Sequence, residues 1–473
     1  MLRELRQLIG DEHILRPSRG SPYNSDSTRR RGLIGRADAV ALPGSAEEVA
    51  AVVRWCYSHD VPIVPRGGGT GLVGGAVPSE GGVVLSLERL RAVRELEPGL
   101  WRMYPEAGVR TRDVQRLARE NGLFFAPDPG AAEQSQIGGN VATNAGGPHA
   151  LKYGVTGAWV TGLEVVLPPG ELVHVGGWTR KDVAGYDLKS LLVGSEGTLG
   201  VITAVRLRLL PAPEARLALV VFVRDRATGC AAMLEVLAAG IEPAALEFLD
   251  GETLACVASG YPGEAPADAG FALLVELDGT REAVGRAHEQ LLDALGEAAL
   301  AVEQPRDTVA LWRWRDGFNG VVTGVRGAKV SEDVSFPLET LGEGLERFES
   351  IAAHHGLRAC AWGHGGDGNV HATVLVDPAA EDELDAAEAV GAELFALVGE
   401  LGGSIAAEHG VGLLKGGLLA SHWDPRTVEL HEQIKRAFDP KGLLNPGKKV
   451  GLAPLAGAPR PRPRSEPSRA RAS

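Results

Sequence analysis

An α+β protein built from two large compact units is what this sequence predicts, on three observations. The chain has 473 residues, more than one hydrophobic core accommodates. Its first half sets short β-branched runs between glycine-rich turns, whereas its second half alternates strands with Ala/Glu/Leu-rich helices. Between them, Leu210-Pro211-Ala212-Pro213 marks a boundary, because proline resists both a helix interior and a central strand.

The elements follow in order. The first ordered helix is expected at Ser45, where Ser45-Ala46-Glu47-Glu48 reads as a capping box and Val49, Val52, Val53 and Cys56 recur at helical spacing. Val61 to Pro65 and Gly82 to Leu87 read as short buried strands. Thr111 to Glu120 reads as a helix closed by Asn121-Gly122. From 137 to 210 the chain is read as glycine-rich loops between strands such as Leu163–Leu167 and Val201–Val205. Beyond the prolines come strands at Leu217–Val223 and Phe271–Leu277, with a helix at Ala231–Ala239. Residues 451–473, holding five arginines among Pro, Ala and Ser, are read as a disordered tail.

Composition removes several functions. A net charge of -13 opposes non-specific nucleic-acid binding. No run of apolar residues is long enough to cross a membrane, and the mixed-charge N-terminus does not read as a secretory signal, so a cytoplasmic location is expected. Cys56, Cys230, Cys256 and Cys360 form no CxxC pair; each is expected to be a small buried hydrophobe in a reducing compartment.

Chemistry concentrates in a few segments. Arg66-Gly67-Gly68-Gly69-Thr70-Gly71-Leu72 can turn several amides inward to hold a diphosphate, although by itself it is equally a surface loop. It lacks the Gly-Lys-Ser/Thr of a Walker loop and the acidic residue of a dinucleotide fold. A second segment, Ile137 to Gly147, alternates glycines with amide and hydroxyl side chains suited to the edge of a flat polar ring. A third, Gly194 to Gly200, leads into a strand. Three such segments together favour one large phosphate-bearing ligand.

In the second half, Trp362-Gly363-His364-Gly365-Gly366-Asp367-Gly368-Asn369-Val370-His371 sets two histidines about a glycine turn between strands. Ala407-Glu408-His409-Gly410 adds a carboxylate. Two imidazoles and one carboxylate can ligate a catalytic divalent metal, which leaves His409 as a base. Arg313 and Arg315 are both candidates to hold a substrate carboxylate, and Lys329 is a weaker one.

From Asp38 to Val450 these motifs, together with Pro127-Asp128-Pro129, Gly185-Tyr186-Asp187-Leu188 and Leu444-Asn445-Pro446-Gly447-Lys448, resemble the FAD-dependent 2-hydroxy acid dehydrogenases. These include the glycolate oxidase flavoprotein subunit, D-lactate dehydrogenase and D-2-hydroxyglutarate dehydrogenase, within the vanillyl-alcohol-oxidase (PCMH-type) flavoproteins. The resemblance implies an N-terminal segment (1–37), a two-subdomain FAD-binding domain (38–212), and a cap domain (213–450) with an antiparallel sheet and flanking helices. Within the cap, 401–450 returns to the flavin.

By the same resemblance, Arg66 to Leu72 cradle the pyrophosphate. Pro127, Asp128, Gly138, Gly139, Asn140, Thr143, Asn144 and Asn445 line the FAD, with Glu196, Gly197, Val201 and Ile202 at its adenosine end. His364, His371 and Glu408 match ligands of a divalent metal, expected to be zinc. His409 matches the base that takes the hydroxyl proton as hydride leaves for flavin N5. Arg315 matches the carboxylate-binding arginine, and Asn319 and Lys329 fall near further substrate positions. The first glycine loop has no histidine, so the FAD is expected to be non-covalent. The resemblance also implies a small 2-hydroxy acid substrate, an iron–sulfur or other electron-accepting protein partner that could bring the chain to a membrane periphery, and assembly as a homo-oligomer or complex subunit. Two alternatives are a non-catalytic electron-passing flavin subunit and a transferase like the alkylglycerone-phosphate synthases; the Glu at 408, where those synthases carry a histidine run, disfavours the latter.

Overall fold

The computed structural model of the chain describes residues 1–449. The expected disordered tail lies outside the described residues.

Three sheets organise the chain. In the first, Ala39–Ala41 and Ile63–Arg66 flank Val83–Ser86 in parallel, and Ile14–Leu15 adds an antiparallel edge. The helix Ala46–Ser58 covers it, burying the expected Val49, Val52, Val53 and Cys56. Ser45 caps this helix by accepting the Glu48 amide at 3.2 Å. The reciprocal bond reaches one residue further back than a capping box requires: Glu48 accepts from the Gly44 amide at 2.7 Å. A helix does precede it, correcting the expectation that ordered helix begins at Ser45. Leu2–Ile9 sets Leu5 and Ile9 against the same core, which a sequence with only two strongly buried positions hardly advertises.

The second sheet is antiparallel, in the order Val93–Glu97, Arg102–Pro105, Val201–Arg208, Val160–Leu167, Glu171–Gly176. Thr111–Glu120 is helical with the predicted bounds. The stretch after Gln136 is not a loop: Ile137–Thr143 is a helix, ended by Asn144 in the left-handed conformation at φ 52°. Its glycines serve packing, since a Cβ on Gly138 would stand 2.5 Å from the Ala107 side chain.

The third sheet has seven antiparallel strands in the order Ala299–Glu303, Ala215–Val223, Phe271–Gly279, Ala245–Asp250, Arg358–His364, Asn369–Val376, Ala328–Ser335. Helices Arg226–Ala238, Arg281–Leu295, Leu341–His354 and Glu381–Glu400 cover one face through a core that includes Val236, Leu291, Phe348 and Leu394. Helices Gly251–Val257, Thr308–Asp316 and Phe318–Arg326 cover the other through Leu254, Trp314 and Phe318. The first boundary proline takes part in regular structure, since Leu210–Pro211 pairs with Leu123–Phe124. The chain finally returns to the first sheet, where the Asn445 amide donates to Ile63 O at 2.7 Å. All four cysteines are free thiols.

Candidate active site

The glycine turn read in the sequence is the bend of a hairpin. Gly368, at φ 74°, lets strand Arg358–His364 fold back on Asn369–Val376, and a Cβ there would meet Phe336 O at 2.0 Å. Pairing places Trp362 opposite His371, His364 opposite Glu247, and Asp333 opposite His371. Polar side chains from four adjacent strands therefore meet at one end of an otherwise apolar sheet.

Two buried carboxylates that sequence reasoning missed hold this group together. Glu247, 1% exposed, accepts from His364 Nδ1 at 2.5 Å and from Arg315 Nε at 2.7 Å. That bond places the proton on Nδ1 and turns Nε2 toward Glu408. Burial raises the Glu247 carboxyl, but Arg315 and His364 outweigh it and bring it down to about 2. Asp333 is equally buried; its Oδ2 accepts the backbone amides of Ala407, Glu408 and His409 at 3.0, 2.9 and 2.9 Å, and its Oδ1 accepts Asn369 Nδ2 at 2.8 Å. Lys415 Nζ braces the same loop by donating to Asp333 O and Ile405 O. A signal for Glu247 existed in the sequence: an acid in an apolar strand, as in Ala245-Leu246-Glu247-Phe248-Leu249, is buried only when paired, whereas Asp333, in the polar run Ser331-Glu332-Asp333, carried none.

Ligand atoms of His364, His371 and Glu408 lie within 4.8 Å of one another. Glu408 Oε1 stands 2.6 Å from His364 Nε2 but without hydrogen-bond alignment, so this buried oxygen has no hydrogen-bond partner among the described residues. Burial pushes His371 down to about 3, leaving the neutral imidazole that a metal needs. Burial also opposes charge on His364, yet Glu247 and Glu408 raise it well above its ordinary value, so the surroundings favour a cation here. An orphaned carboxylate oxygen and a neutral imidazole fit a divalent ion. A second triad, Asp333, His371 and His409, also falls within 4.8 Å, but the amides and Asn369 already occupy both oxygens of Asp333. The His409 ring stacks parallel to His371, with centroids 5.5 Å apart.

The two arginine candidates separate. Arg313 is exposed, while Arg315 is tied to Glu247 through Nε and Nη2, which leaves Nη1 unengaged among the described residues. Lys329 lies 4.6 Å over the Trp362 ring and is pushed down to about 8 by burial. Asn319 is exposed on helix Phe318–Arg326 and joins none of these groups.

The glycine segments converge on the same region. Gly68 approaches Gln134 O so closely that a Cβ would stand 2.3 Å from it, and a Cβ on Gly67 would stand 3.4 Å from Gly139 Cα. Arg66 folds back against its own glycine loop, where a Cβ on Gly69 would stand 2.0 Å from Nη2, and donates through Nη1 to Ser25 O at 2.7 Å, propping the loop. Asn140 and Asn144 are engaged with Thr111 Oγ1 and the Gly157 amide, and Thr143 with its own helix. Glu196 accepts the Val411 and Gly412 amides at 2.9 and 2.7 Å, pinning the far end of the 407–412 loop, and Gly197 follows in the same turn. Val201 and Ile202 point into apolar cores, and Asn445 Nδ2 bridges Gly75 O and Glu196 O. Buried Pro127 accepts from Gln115, and Asp128 pairs with His149. One loop, bearing Glu408 and His409, is thus anchored by Asp333 in the second half and by Glu196 in the first.

Against known proteins, residues 37–176 match the FAD binding domain family and residues 212–449 match the C-terminal domain of FAD linked oxidases. Glycolate oxidase subunit GlcD of Bacillus subtilis is 38% identical across 94% of this chain and 95% of its own. The chain belongs to the FAD-linked oxidase family. Within that family, a D-lactate dehydrogenase of Anaerostipes hadrus is 34% identical (94% of each chain), and a D-2-hydroxyglutarate dehydrogenase of Stutzerimonas stutzeri 31% identical (95% and 98%). The solved structure of p-cresol methylhydroxylase with substrate bound shares the FAD-linked oxidase fold at a TM-score of 0.79 and 19% identity, covering 95% of this chain and 96% of that one. This FAD-linked oxidase is an enzyme whose first matched region is an FAD binding domain; no helix among its described residues is long and apolar enough to cross a membrane.

Proposed function

We propose that this chain oxidises a small 2-hydroxy acid, of the glycolate or D-lactate kind, to the 2-oxo acid. The observation that carries the reading is the His409 imidazole stacked on His371 of the His364, His371 and Glu408 cluster, with the half-buried Arg315 fixed to the same cluster through Glu247. When bound, FAD supplies a two-electron acceptor and a divalent ion, zinc by preference for this donor set, lowers the pKa of a nearby hydroxyl. His364, His371 and Glu408 hold the ion. The segments at 66–72 and 137–144 hold the FAD without a covalent bond, since neither contains histidine.

Arg315 orients the substrate carboxylate with its Nη1 donors, while Glu247 keeps the guanidinium from rotating. His409 takes the hydroxyl proton at an imidazole nitrogen, its backbone fixed by Asp333. Lys329 stands further along the same sheet face, toward the substrate's side chain. Residues 38–212 form the cofactor domain and 213–450 the substrate and metal domain. Since the Bacillus relative is named a subunit, a separate electron-accepting protein receives the electrons, in the cytoplasm or at the membrane surface.

Anaerobic bleaching of the yellow protein by a panel of D- and L-2-hydroxy acids, before and after chelation, tests this. Bleaching by one D-acid, abolished by EDTA and restored by zinc or manganese, is the expected result. No bleaching by any acid, with FAD and metal bound, overturns it.

A further inference from the structure

His149 is a buried histidine between two carboxylates, 2.6 Å from Asp128 Oδ2 through Nδ1 and 3.0 Å from Glu276 Oε1 through Nε2. Both partners are acceptors, so both ring nitrogens donate, and only an imidazolium has two N–H groups. The two acids belong to different parts of the chain. Asp128 sits in the 127–129 loop of the first half, and Glu276 in strand Phe271–Gly279 of the seven-stranded sheet.

Glu276 passes the contact on. Its Oε2 accepts Trp312 Nε1 at 2.8 Å, and the Trp312 ring lies 5.8 Å from that of His149. Trp312 is one helical turn before Arg315 on Thr308–Asp316, so the two share a face. A continuous path thus runs from the 127–129 loop through His149, Glu276 and Trp312 to Arg315. Joining the halves does not by itself require His149. Lys152 Nζ and Tyr153 OH both bind Asp278 Oδ atoms, at 2.7 Å each, and hold the same strand to helix Ala150–Tyr153, which begins one residue after His149. What His149 adds is the orientation of Glu276 and of the helix beyond it.

We propose that His149 is a positioning residue, whose cationic bridge between Asp128 and Glu276 fixes the Trp312–Arg315 helix relative to the cofactor loops and so sets where the substrate carboxylate is held. This rests on the reading of Arg315 as the carboxylate-binding group.

The test uses the full-length holoprotein, the single variants His149→Gln, Glu276→Gln, Trp312→Phe and Arg315→Met, and the doubles that add Trp312→Phe to His149→Gln and to Glu276→Gln. Apparent Kd and limiting rate come from anaerobic flavin bleaching by glycolate and D-lactate, with FAD content and Tm alongside. His149→Gln is expected to keep its FAD and to weaken the apparent Kd by about tenfold or more, with a smaller change in limiting rate. Adding Trp312→Phe to it should cost little more, because both act on one path. Glu276→Gln, which preserves shape, should reproduce the Kd effect if His149→Gln folds poorly. An Arg315→Met variant that binds acid normally removes the reading of Arg315. An Arg315→Met variant that binds poorly, with His149→Gln and Glu276→Gln either unchanged in Kd or strictly additive with Trp312→Phe, overturns the proposal for His149.

Discussion

The carboxylate of Asp333 stands 2.9 Å from the backbone amide of His409 and accepts the two preceding amides at the same oxygen. A charged acceptor on three successive N–H groups fixes the loop's backbone, so the side chains of Glu408 and His409 project from a rigid base. Burial raises the Asp333 carboxyl, but His409, Lys415 and His371 bring it below the ordinary carboxylate range. It is therefore an anion throughout the neutral range.

Replacing Asp333 by Asn removes that charge and turns one acceptor into a donor facing backbone N–H groups. Metal affinity is expected to fall by about 10–100-fold, the usual loss for an outer-shell partner. Metal content after dialysis, set against FAD content, checks this; a variant that retains both shows that the loop does not depend on Asp333.

Glu247→Gln removes the anion that fixes the tautomer of His364 and anchors Arg315. Both metal affinity and the apparent Kd for the acid should worsen, each by roughly tenfold or more. Titration with zinc and with D-lactate separates the two effects, and a loss in only one would assign Glu247 to that partner alone.

His409→Asn should lower the limiting rate of flavin reduction by about 10²–10⁴-fold with FAD and metal retained. Stopped-flow reduction reads it directly. Unchanged reduction removes His409 as the base.

His149 gives the protein a pH signature. Burial opposes its protonation, but Asp128 and Glu276 outweigh that and push it up to about 10. A raised folded-state value means the contribution is complete below the unfolded value of about 6.5 and is lost as pH rises through 10. Burial-depressed Lys448, near 7, and Lys329, near 8, act oppositely, their penalty being relieved as pH rises. The difference in Tm between the wild type and His149→Gln isolates the histidine, and it should shrink steadily from pH 7 to pH 10. A difference that stays constant over this range means His149 is not charged.

Local signals were legible where a single residue type forces a local geometry. The Ser45 cap, the Thr111–Glu120 helix and the hairpin around Gly368 were each readable, because caps and left-handed glycines act within a few residues. The 137–143 helix was not, since Gly138 and Gly139 weaken helix propensity and earn their place only by packing against Ala107 and Gly67.

The sequence by itself determined the family, and its ordered motifs marked His364, His371, Glu408, His409 and Arg315 as the candidates for the site. Only tertiary structure decided what holds them. It set Glu247 opposite His364 and tied Arg315 to that same acid. It also placed Asp333 under the 407–409 loop and brought Asp128 to Glu276 across His149. The physical reason is that an isolated acid in an apolar strand carries no mark of its partner. Its burial is stable only when strand register and the docking of the two halves bring a cation or an amide to it, and those contacts lie far apart along the chain.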